Sequence, residues 1–163
     1  MIETHHDRDR GISITVTHVL TIGLATILIA LLLMGASTML ESERHRSTES
    51  SLETIGERLA RDIGAVDRAA VTLTDEVTVT ADQPDRAGNA MYTVTLHEAG
   101  VCGTAPLLDG SNPCLKLTAQ GSDAVAYVPL EVDAGVQDGS SAPGGEIEIV
   151  YDTNTIRIRS ENA

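Results

Sequence analysis

The sequence predicts an α+β protein, with one long N-terminal transmembrane and amphipathic helix packed against a small antiparallel β-sheet head. Three observations carry this. Residues Ile12 to Leu40 contain no Asp, Glu, Lys or Arg. Leu52, Ile55, Leu59, Ile63 and Val66 follow at helical steps of 3, 4, 4 and 3. From residue 71 onward, short β-branched runs alternate with Gly, Pro, Asp and Asn turns. The implied organisation is a leader over 1–11, a transmembrane helix over 12–40, an amphipathic continuation over 41–70 and a β-rich head over 71–163.

The run Ile12–Leu40 centres on Val19-Leu20-Thr21-Ile22-Gly23-Leu24-Ala25-Thr26-Ile27-Leu28-Ile29-Ala30-Leu31-Leu32-Leu33-Met34. A helix needs about 20 apolar residues to cross ~30 Å of hydrocarbon, so this run is long enough and its first partner is the lipid bilayer. Ser13, Thr17, Thr21 and Ala25 recur at i+4 and therefore share one side of the helix. Small and hydroxyl residues let helices approach closely in lipid, where apolar burial supplies no driving force. They are the candidate helix-packing face, with Gly23 and Gly35 adding local thinness. The alternative is that each Thr bonds its own i−4 carbonyl and faces lipid.

Arg8-Asp9-Arg10-Gly11 precedes the apolar run, which starts at once with Ile12-Ser13-Ile14. This pattern resembles the class III signal peptide of archaeal type IV pilin-like proteins. The stretch RGISITVTHVLTIGLATILIALLL is similar to the N-termini of haloarchaeal pilin-like proteins. The resemblance covers residues 8–70. It implies cleavage by a prepilin peptidase between Gly11 and Ile12, with Arg10, Gly11 and Ile12 as the processing site. It further implies other pilin-like subunits as partners through the N-terminal helix. Many members carry Glu at the fifth mature position, where Val16 stands here. A plain signal anchor, with Arg8 and Arg10 marking its cytoplasmic end, is the competing reading. Cleavage after Gly35-Ala36-Ser37 by ordinary signal peptidase fits less well, because the apolar region exceeds a normal secretory core.

Residues 41–70 hold no Pro, and their stripe Leu52–Val66 continues the helix. Unbroken from Ile12 to Ala70, it would run ~88 Å at about 1.5 Å per residue. Glu57 and Arg61 form an i,i+4 pair by spacing. Glu43 to Ser51, rich in Ser and charge, is the weak stretch where a bend is expected.

In the head, strands are expected at Val77–Thr80, Met91–Leu96, Ala124–Val128, Ile147–Tyr151 and Ile156–Arg159. Asp152-Thr153-Asn154-Thr155 reads as the turn of a final hairpin. Five or six such strands in one antiparallel sheet, with so few aromatics, need the Leu52–Val66 stripe to cover them. Cys102 and Cys114 enclose a Gly- and Pro-bearing loop. In a segment outside the cell a disulfide is the default, and it would stabilise the head by ~3 kcal/mol in the chain-entropy model.

Net charge is −13, from 24 acids and 11 bases. Residues 71–163 carry fourteen acids and four bases, so the excess sits in the head. Such a surface repels nucleic acid, whose binding needs Lys and Arg on phosphates. There is one Lys, Lys116, against ten Arg, and no Phe or Trp. The balance is similar to that of halophilic archaeal proteins, whose self-repulsion dense salt screens.

No catalytic motif stands out. The chain has no nucleophile elbow, P-loop, HExxH or dinucleotide fingerprint. His5-His6 lacks further ligands, and His97-Glu98 stands alone. Asp133, Asp138 and Glu146 fit no EF-hand spacing. The sequence therefore predicts no enzyme, cofactor or metal site. It predicts a single-pass cell-membrane protein with its N-terminus cytoplasmic and its head extracellular, serving as a pilin-like structural subunit. The alternative is a non-polymerising anchored ectodomain that binds a ligand or partner protein.

Overall fold

The computed structural model describes residues 6–70, 76–105 and 108–161, with the side chains of 6–15, Ser37 and Thr104 outside that description. One helix, α1, spans His6–Ala70. Nine strands follow: β1 Val77–Asp82, β2 Arg86–Ala87, β3 Ala90–His97, β4 Cys114–Ala119, β5 Val125–Pro129, β6 Gly135–Val136, β7 Ser141–Pro143, β8 Glu146–Asp152 and β9 Thr155–Ser160. A short 3₁₀ turn covers Val101–Thr104. The chain divides into two compact units, Met1–Glu43 and Arg44–Ala163, so the boundary falls inside α1. The boundary lies at the start of the weak stretch Glu43–Ser51, yet those residues are all helical.

In the first unit, the described side chains from Val16 onward are exposed throughout. The most apolar 18-residue window of this helix has a mean hydropathy of 2.5 and is 0% buried. It is long and apolar enough to cross a membrane.

The second unit is α+β, the fold class expected. Leu52, Ile55, Leu59, Ile63 and Val66 are buried in one core with residues from both sheets. The stripe behaves as its period requires, since residues at these steps share a helix face. It approaches the sheet closely at Gly56. A Cβ there would sit 2.7 Å from Val128 Cγ2 and 2.8 Å from Leu117 Cδ1, so α1 can lie on β4 and β5 at this depth only without a side chain. Asp67, 4% exposed, closes the helix end against the head. Its carboxylate accepts the backbone N–H groups of Asp133 at 2.9 Å and Ala134 at 3.2 Å. Two donors on one buried carboxylate meet the requirement that buried charge be hydrogen-bonded.

The single antiparallel sheet expected from the strand count is instead two sheets. One has the order β1-β8-β9-β6, and the other runs β2-β3-β4-β5 with β7 also on β3. All ladders are antiparallel except β6 with β9, which is parallel. The five expected strands are present as β1, β3, β5, β8 and β9. Strand β4 is not among them, and it pairs with both β3 and β5 at the centre of its sheet. Leu115 and Leu117 of β4 are fully buried, so the core is built from two sheets as well as from the helix stripe. The final hairpin is as expected. Thr153 and Asn154, at φ 48° and 61°, form the two-residue β8–β9 turn. Positive φ at both positions is what lets such a turn follow the strand twist.

Candidate assembly surface

Among the described residues, most of the exposed large apolar side chains lie on the α1 segment from Val16 to Leu40. Val19, Leu20, Leu24, Leu32 and Leu33 are each at least 60% exposed. Apolar area left in water costs roughly 25 cal/mol per Å², and contiguous patches on soluble monomers rarely exceed a few hundred Å². Hydrocarbon or another helix is the medium this segment fits.

Three of its threonine hydroxyls are already served. Thr21 Oγ1 donates to the Thr17 carbonyl at 2.8 Å, Thr26 Oγ1 to Ile22 at 2.8 Å, and Thr38 Oγ1 to Met34 at 3.2 Å. The hydroxyl of Thr21 therefore needs no neighbouring helix, and its face is open to lipid or to close van der Waals packing. Of the candidate face, Thr17, Thr21 and Ala25 are exposed, while the Ser13 side chain lies outside the described residues. Gly23 is two residues from Thr21 and so points to the opposite side of the helix. Nothing lies within 4 Å of where its Cβ would be. It opens a notch flanked by Val16, Val19, Leu20, Leu24 and Ile27. The thinness at Gly23 belongs to a second side of the helix, not to the Thr face.

Arg10, Gly11 and Ile12 lie in the first turns of α1, and their side chains, like that of His6, are outside the described residues. His5 is outside them altogether. Cys102 and Cys114 are paired at disulfide distance, with Cα atoms 6.1 Å apart, inside the usual range for a bridge. The pair ties the 3₁₀ turn to the start of β4.

The polar residues of the head were less legible. His97 has a partner across 41 residues, because Nδ1 lies 2.9 Å from Asp138 Oδ1. That carboxylate also accepts the Glu98 N–H at 3.3 Å. The His97 hydrogen bond, followed by that of Glu98, holds the Asp138 carboxyl below the usual range. Glu98 and Asp138 border an open groove of about 780 Å³ with Pro113, Val132, Val136 and Thr155. No hydroxyl or thiol is bonded to His97 among the described residues, so the pair acts as a clamp between the end of β3 and the 137–140 turn. The three acids considered for calcium are apart in role. Asp133 is bound through its N–H to Asp67, Asp138 to His97, and Glu146 interacts with Glu161. Among the described residues no group of three potential ligands is arranged to hold a metal ion.

Glu57 and Arg61 do not form the expected ion pair. Arg61 Nε donates to the Glu57 backbone carbonyl at 3.2 Å, since the guanidinium folds back along the helix instead of meeting the carboxylate.

Fold and surface together define a class: an α+β head built on the C-terminal half of a helix whose N-terminal half is long and apolar enough for a membrane. The chain belongs to a protein family described as "Family of unknown function (DUF7266)", whose model matches residues 7–161, the head as well as the helix. No curated protein and no solved structure matches the chain.

Proposed function

We propose that this protein is a membrane-anchored structural subunit of pilin-like type, a filament or pseudopilus component or a minor subunit. In this reading the apolar half of α1 packs with other pilin-like subunits or lipid, and the acidic head faces salty surroundings outside the cell. The observation that carries it is the uncovered apolar window, 0% buried against its own chain. Support also comes from Arg10-Gly11 directly before Ile12, where a prepilin peptidase would cut. Mass spectrometry of membrane-derived protein is expected to find Ile12 as the first residue. Recovery of the intact leader from cells with active prepilin peptidase would return the chain to a plain anchor. Gly11→Leu should block processing, and unchanged gel migration would remove the motif. For assembly, Thr17→Leu with Thr21→Leu should weaken oligomers in the membrane, with unaltered cross-linking counting against the packing face.

One observation favours the second reading, an anchored ectodomain that does not polymerise. Thr21, Thr26 and Thr38 bond carbonyls of their own helix, as lipid-facing threonines do. The same double Leu variant separates the two, because a lipid-facing pair tolerates it.

A further inference from the structure

In a chain with 24 acids and 11 bases, a cation without an acidic partner stands out. Two of the four bases of the head are in ion pairs, and the other two meet a carbonyl or a ring. Arg86 Nη1 donates to the Asn89 carbonyl at 3.0 Å, and Lys116 Nζ lies 5.9 Å from the Tyr127 ring centre. Arg157 pairs with Glu76 at 3.7 Å and Arg159 with Glu148 at 2.6 Å.

The helix differs. Arg58, Arg61, Ala65 and Arg68 step by 3, 4 and 3, so they form a second stripe on α1. All four are exposed, with Arg61 Nε on the Glu57 carbonyl and Arg68 Nη1 lying over Gly64. Among the described residues, none of these three arginines is in an ion pair.

A matching surplus lies on the head. Asp82 and Glu146 are register partners at the end of the β1–β8 ladder. Asp85 Oδ1 approaches Gly145 beside them, and Glu161 is the group that acts most strongly on Glu146. Glu161, then burial, Asp82 and Asp85, raise the Glu146 carboxyl above its ordinary value, as expected of crowded like charges. None of the four is in an ion pair among the described residues.

We propose that the exposed stripe Arg58, Arg61 and Arg68 docks on the cluster Asp82, Asp85, Glu146 and Glu161 of a second copy of this chain. Charge complementarity selects the occupant: the acidic head is the carboxylate-rich surface that this chain itself supplies. Guanidinium forks match carboxylates in two-point contacts, and each docked arginine relieves repulsion inside the cluster. The small side chain of Ala65, between Arg61 and Arg68, leaves the stripe free of bulk that would hold the two surfaces apart. The two patches are different surfaces of the unit Arg44–Ala163, so the contact is heterologous. It leaves one patch of each kind free at either end and can propagate. The inference rests on the reading that copies assemble, and the following experiment separates the two.

Full-length chain labelled with donor or acceptor dye is reconstituted into neutral phosphatidylcholine vesicles, and energy transfer between copies is measured. The triple variant Arg58→Glu, Arg61→Glu, Arg68→Glu should weaken association about tenfold, from three exposed pairs of modest strength. The reciprocal variant Asp85→Arg with Glu161→Arg should lose a similar factor. Mixing the two variants should restore transfer, because each supplies the charge the other lost. Arg→Gln at the three helix positions, with an unchanged head melting curve, guards against misfolding and should give a smaller loss. Wild-type transfer undiminished in the triple variant, or no rescue on mixing, overturns the docking contact while leaving assembly intact. No transfer above random even for the wild type overturns the assembly reading itself, and the contact with it. A defect confined to vesicles containing anionic lipid assigns the stripe to headgroups and overturns the proposal.

Discussion

Two stretches of α1 differ in what surrounds them. From Val16 to Leu40 every described side chain is exposed, whichever way it points. From Leu52 to Val66 the large apolar residues Leu52, Ile55, Leu59, Ile63 and Val66 form one buried stripe, and Glu53, Glu57, Arg58 and Arg61 stay outside. The first stretch is apolar all round and the second is amphipathic, which is the difference between a helix made for hydrocarbon and one made for a sheet. Within one continuous helix, leucines are left uncovered in the first stretch and buried in the second.

The sharpest way to break this comparison is a matched pair of substitutions. Leu59→Ala removes a fully buried side chain and should cost the head about 2–5 kcal/mol. Leu28→Ala, in the exposed stretch, should leave head melting unchanged. Equal effects in a thermal melt of the full chain in micelles would mean the two stretches are not distinct. Next in size, Cys102→Ser with Cys114→Ser should lower head stability by ~3 kcal/mol, read from a denaturant midpoint with and without reductant. Asp67→Ala strands the N–H groups of Asp133 and Ala134 and should cost about 1–3 kcal/mol. Hydrogen exchange at those two amides would check it, and unchanged protection would count against the latch.

Alkaline pH tests the head alone. Burial, followed by the charge of Asp85, pushes the Tyr92 hydroxyl up to about 12 from its ordinary 10. Its folded value is raised, so the stabilisation is fully present below pH 10 and is lost as pH climbs from 10 towards 12. Tyr92→Phe should flatten that part of the stability profile, although it also gives up the 2.7 Å bond to the Pro84 carbonyl. The smallest effect is expected at the last turn. Thr153→Asn replaces a β-branched residue at φ 48° with one that tolerates it, for a gain of about 0.5 kcal/mol.

Both parts of α1 were legible because periodicity reports which faces are apolar, and Leu52, Ile55, Leu59, Ile63 and Val66 are all buried as read. The pairing of Cys102 with Cys114 was legible because the chain holds just these two cysteines. Strand β4 was hidden for a physical reason. Cys114-Leu115-Lys116-Leu117-Thr118-Ala119 lacks the β-branched run that marks the others, and its position is decided by burial between β3 and β5. Strands β2, β6 and β7 are two or three residues long, too short to show a period. The His97–Asp138 clamp spans 41 residues, so no local pattern could announce it. The outer stripe Arg58, Arg61, Ala65 and Arg68 is visible in its spacing. What the spacing could not show was that Arg61 turns to a backbone carbonyl instead of to Glu57.

The Asp67 latch also bears on the order of events during synthesis. Its acceptor atoms wait for donors 66 and 67 residues later in the chain. Strand β1 likewise waits for β8, with Val77 opposite Tyr151. Contacts this distant in sequence close slowly, and ribosomes add only about 5–20 residues each second. The apolar run therefore emerges, and can reach a membrane, several seconds before the head has the strands it needs to close. The apolar run is complete first and the head closes second, so the edge of β1 stays open until β8 has been made.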